Sequence, residues 1–229
     1  MGDALLFLPL TVLGAVLALD VVSFPQAMFS RPIVAATLAG AWVGEPDRGL
    51  AMGVALEFFA LESMPFGASR YPEWGSASVV GGALFALTPE GTAAAMTAAA
   101  LSALLVASVG GTSMVLLRRF NAYWARQQQA RIARGSGSAV VALQLAGLTA
   151  DLTRGALLTF LGLAVLVPLH EAIVASFTMS PTVSRAVVVA AASAVGLAAV
   201  WKVVHTTPLA RWYLAAGVAI GMLIAAGLM

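Results

Sequence analysis

The chain has 229 residues, of which 61% are apolar and only 10% charged, with a mean hydropathy of +0.95. Soluble domains carry about a quarter charged residues, so this composition excludes a soluble fold and points to an integral membrane protein. The net charge of +2 belongs to membrane topology and not to nucleic-acid binding, and the lack of cysteine excludes disulfides and thiolate chemistry.

The apolar runs, such as Leu101–Leu117 and Ala156–Pro168, are continuous and not alternating. They predict an all-α polytopic transmembrane bundle and not a β-barrel. Full spans are expected over residues 4–22, 92–117, 155–174, 183–201 and 209–228. The first lacks a positive flank and carries Asp3, and reads as a retained helix and not as a cleaved leader. Asp20 lies near its end, either as an interfacial acid or as a polar group at the mouth of a site.

Residues 23–31 form a connection broken by Pro25, and Pro32 opens the next helix behind Arg31. Two runs follow, Ile33–Val43 and Leu50–Leu61. Each is shorter than the roughly 20 residues a straight span needs. Residues 32–88 are therefore expected to form short, re-entrant or broken helices. Four of the ten carboxylates fall in residues 45–62. Acids at membrane depth face a bundle interior or an aqueous cavity, and broken helices with polar residues between them build transporter sites.

The turn GEPDRG at 44–49 reads as a solvated loop. After it, Gly49, Gly53 and Glu57 recur at intervals of four on one helix face. Two glycines permit close backbone approach, so that face is turned to protein and Glu57 shares it. Its carboxylate accepts hydrogen bonds from neighbouring sugar hydroxyls, forms a structural ion pair with Arg31, or is a protonated acid bonded to backbone. Glu62 is rotated away and reads as interfacial. Pro65–Gly75 holds Arg70, Tyr71, Glu73 and Trp74, a mixture that suits a sugar face and a membrane anchor alike.

Ser76–Leu87 is another short run, and Thr92–Leu117 is long and rich in small residues. Arg118–Arg134 then carries five arginines and no acid. This marks a cytoplasmic connection, expected as an amphipathic helix on the membrane surface in contact with lipid headgroups, with docking of a soluble partner as the alternative. The chain divides on this basis into a membrane half at 1–117 bearing the site, a basic connection at 118–138, and a second membrane half at 139–229. In the second half, Asp151 and Arg154 pair along one helix face. His170 and Glu171 follow Pro168 at an expected interface, and His205 reads as interfacial too. No metal-binding, nucleotide-binding or nucleophile motif is present, so no cofactor, metal or catalytic residue is expected.

Asp20, the segment SRPIV at 30–34, the helix with Gly49, Gly53 and Leu56-Glu57, and PFGA at 65–68 with Pro72-Glu73 resemble the sorbose/mannose-family enzyme IIC of the bacterial sugar phosphotransferase system. LQLAGLTADLTRGALLTFLGL at 143–163 is also similar to that family. The resemblance implies a multi-pass subunit of the bacterial inner membrane that conducts a hexose or amino sugar inward. Its implied partners are a IID-type membrane subunit, in an oligomer of heterodimers, and soluble IIA and IIB proteins that carry the phosphate. Glu57 is the first sugar ligand it implies, with Asp20, Arg31 and Glu73 behind it. Two other readings stand beside it: a transport-incompetent IIC-like structural subunit, and a proton-coupled secondary transporter.

Overall fold

The computed structural model describes residues 2–62, 70–89, 91–176 and 180–227, which form eight α-helices and no strand. They are α1 (Gly2–Val22), α2 (Pro32–Val43), α3 (Pro46–Glu62), α4 (Trp74–Leu87), α5 (Ala93–Ala133), α6 (Gly137–Ser176), α7 (Pro181–Val204) and α8 (Ala210–Gly227). Residues 63–69, with the Pro65–Ala68 motif, lie outside the described residues, as does the Glu62 side chain.

The bundle is packed around α4. Residues 74–86 are buried throughout, and α1, α2, α3, α5 and α6 all pack against them. Its 14 residues make a helix about 21 Å long, short of the roughly 30 Å hydrocarbon core. Small residues let its neighbours approach. A Cβ at Gly75 would lie 2.6 Å from the Leu17 carbonyl oxygen of α1, and one at Gly82 2.7 Å from the Ala36 Cα of α2. The remaining core comes from Leu10 and Leu17, Met52 and Leu56, and Val106 and Leu163. The short elements expected over residues 32–88 are thus α2, α3 and α4, of which α4 alone is buried along its whole length.

Helices α2 and α3 form an antiparallel hairpin about the left-handed Gly44 (φ +93°). Helix α1 runs antiparallel to α6: Gly14 meets Thr159, and Gly155 meets Ala15 and Ala18. Helices α7 and α8 lie over the spans expected at 183–201 and 209–228; α7 packs on α3 and α5, and α8 on α7.

Two features differ from the sequence reading. Arg118–Ala133 is not a separate helix on the membrane surface but the continuation of α5, which runs unbroken for 41 residues. No glycine or proline interrupts residues 112–133, so the helix has no reason to stop where polarity changes. In the same way, α6 passes through Pro168 to Ser176. His170 is consequently not interfacial: it is buried, with Nε2 2.9 Å from the Thr88 hydroxyl.

Candidate functional site

The α2–α3 hairpin is closed by backbone contact. A Cβ on Gly49 would lie 2.5 Å from the Ala36 carbonyl oxygen, and one on Gly53 2.8 Å from the Ile33 Cα. The next residue on that face is Glu57, at the open end of the hairpin. The N-terminus of α2 has no side-chain cap of its own: Arg31 occupies the cap position in an extended conformation and Pro32 follows. Glu57 supplies the cap from the neighbouring helix. One carboxylate oxygen pairs with the Arg31 guanidinium, and the other accepts the Ile33 backbone N–H at 3.2 Å. The pair retains access, with 29% of the Arg31 side chain and 19% of Glu57 exposed.

Asp20 builds the approach to this pair. It is buried at the end of α1, where its two oxygens accept the backbone N–H groups of Ala27 (2.7 Å) and Ser30 (2.8 Å). Gln26 and Met28 between them take positive φ, which allows the connection to fold back on the carboxylate. Asp20 therefore fixes the segment that delivers Arg31 to Glu57. The same connection is tied to α6, because the Ser23 hydroxyl donates to Asp151.

Glu73 stands at the N-terminus of α4, almost fully buried. Its carboxylate accepts the Ser76 backbone N–H at 3.2 and 3.3 Å, and its own N–H donates to the Ala107 carbonyl at 3.0 Å. The approach of residues 71–73 to α5 depends on Gly110 and Gly111, where a Cβ would meet Glu73 Cβ at 2.7 Å and the Tyr71 carbonyl oxygen at 2.4 Å.

Asp20, Arg31 and Glu57 are thus joined through one connection, and Glu73 caps the central helix. The i, i+3 pair of Asp151 and Arg154 was expected, but not its depth. Asp151 is fully buried, Arg154 Nε lies 2.9 Å from its Oδ1, and Nη1 donates to the Ser113 hydroxyl of α5 at 3.2 Å. Helices α5 and α6 and the Ser23 connection therefore meet on one charge pair. Among the described residues, no group of three His, Asp or Glu side chains has metal-binding geometry.

The family model described as the sorbose-specific IIC component of the sugar phosphotransferase system matches residues 5–228. The chain belongs to that family. Among curated proteins none matches it significantly. Two solved structures share the fold of this IIC chain. One, described as a membrane protein, has a TM-score of 0.71 at 21% identity and covers 98% of this chain and 91% of its own. The other, the mannose transporter ManYZ in complex with microcin E492, has a TM-score of 0.62 at 18% identity, with coverage of 97% and 94%. The all-α membrane architecture read from the sequence is the architecture of this family.

Proposed function

We propose that this IIC chain is the translocation subunit of a mannose/sorbose-type phosphotransferase system in the bacterial inner membrane. It binds a hexose or amino sugar and passes it inward, where a soluble IIB protein, charged by IIA, phosphorylates it. A IID-type membrane subunit completes the pathway, in an oligomer of heterodimers; the likeness to a two-component mannose transporter supports this pairing.

The observation that carries the reading is the family match over residues 5–228; the Arg31–Glu57 pair, which the sequence offered as a structural ion pair, is the proposed place for the sugar, at the open end of two short helices. Together the pair presents N–H donors and carboxylate acceptors without net charge, the chemistry that brackets neighbouring sugar hydroxyls. Glu57 and Arg31 are the proposed sugar ligands. Asp20 holds the segment that carries Arg31, and Glu73, which caps α4, is a further proposed ligand. Pairing with Arg31 also removes the isolated acid on which a proton-coupled transporter would rest.

Reconstitution tests this. In vesicles holding this chain and its IID-type partner, sugar phosphate is expected to appear inside only when phosphorylated IIB is enclosed, with no dependence on a proton gradient. Accumulation of free sugar driven by a proton gradient would replace this reading with the secondary-transporter one.

A further inference from the structure

Beyond Leu117, α5 continues for 16 residues to Ala133, about 24 Å of helix. Helix α6 returns antiparallel to it: Gly147 lies against Asn121, and Arg154 reaches Ser113. The two arms make a prong. Residues 118–150 contain five arginines and no acid, which places the prong on the cytoplasmic side.

Three of these arginines lie beyond the basic pair Arg118 and Arg119. Arg126, Arg131 and Arg134 are exposed and stand about 12, 20 and 24 Å along the axis from Arg118. Salt screens charges over about 8–10 Å. Beside them Tyr123, Trp124, Val140 and Val141 are also exposed, although the helix has already left the apolar span. Aromatic and apolar groups interleaved with arginine are the composition of a protein interface. Phe120, Trp124, Gln127, Arg131 and Arg134 recur at alternating spacings of four and three, hence along one stripe. A cavity of about 440 Å³ opens between the arms, lined by Trp124, Val140, Leu143 and Gln144 and reaching Ser23. A second copy of the prong fits poorly there, since it brings five more positive charges.

We infer that the prong docks an acidic face of the soluble sugar-phosphorylating subunit, with an apolar side chain of that subunit in the cavity beside Trp124. This rests on the function proposed above. It adds a place: the docked protein stands next to Ser23, at the start of the connection that carries Arg31.

The test uses the full chain with its membrane partner in neutral phosphatidylcholine nanodiscs, titrated with the purified IIB-type subunit. The triple variant Arg126→Glu/Arg131→Glu/Arg134→Glu keeps Arg118 and Arg119, and with them the orientation signal. It is expected to weaken binding at least tenfold and to flatten its salt dependence. Trp124→Ala is expected to weaken binding as well, and three Arg→Lys changes to preserve most of it. Sugar binding by the same discs separates the two readings. It should be unchanged in the triple variant; a wild-type chain that binds no hexose would overturn the proposed function and leave docking to be judged by the titration. Wild-type affinity in the charge-reversed chain would overturn the docking inference, and so would no binding of the soluble subunit by the wild type. A triple variant altered only in its affinity for anionic vesicles would assign the prong to lipid headgroups instead.

Discussion

Glu57 on α3 caps α2 from outside, taking the Arg31 guanidinium on one oxygen and the Ile33 backbone N–H on the other. One side chain thereby closes the hairpin and presents a polar group at its open end. Glu57→Gln separates these roles. The amide oxygen still accepts from Ile33, whereas the ion pair is lost. A partly exposed pair contributes at most about 1 kcal/mol, so a change of a few degrees in thermal midpoint is expected. Sugar affinity is expected to fall at least tenfold by equilibrium binding, and unchanged affinity would remove Glu57 from the site.

Asp20→Asn leaves one acceptor oxygen where two backbone N–H groups now bond. A hydrogen bond to a charged group contributes about 1.5–3 kcal/mol. Faster amide exchange is expected at Ala27 and Ser30, together with weaker sugar binding, because Arg31 is no longer held in place. Protection equal to wild type at both amides would separate Asp20 from the position of Arg31.

The hairpin glycines differ sharply from those of α8. Gly53→Ala forces a methyl to within 2.8 Å of α2 backbone, whereas a Cβ at Gly217 of α8 meets nothing within 4 Å. Overpacking costs about 1–3 kcal/mol. Gly53→Ala is expected to lower the thermal midpoint measurably in detergent and Gly217→Ala to leave it unchanged or raise it. Equal behaviour of the two would mean that α2 and α3 do not touch along this face.

Asp151 and Arg154 form a buried pair, and removing one partner leaves the other charge uncompensated, at a cost of about 3–5 kcal/mol. Asp151→Asn and Arg154→Gln are each expected to destabilise severely. The double variant should recover much of the loss in a double-mutant cycle. Additive losses would show that the two charges do not depend on each other.

The parts of this fold visible in the sequence are those whose signal is local. The spacing of Gly49, Gly53 and Glu57 gave a protein-facing stripe, and Arg31 was a named partner for its acid. The central place of α4 was not visible. A helix apolar on every face reads the same in lipid as in a protein core, and only its neighbours decide between them. The burial of Asp151 depends on a hydroxyl 128 residues away, which no window along the chain contains. His170 was misplaced because it lies near the end of the expected 155–174 span beside Glu171, and its contact with Thr88, 82 residues away, is not local.

The burial of α4 bears on how the chain is made. Helices α1, α2 and α3 precede it, but α5 and α6, which complete its enclosure, are synthesised afterwards. With 14 residues it is too short to settle across the bilayer alone. Its enclosure is therefore complete only once both helices of the α5–α6 pair have been made.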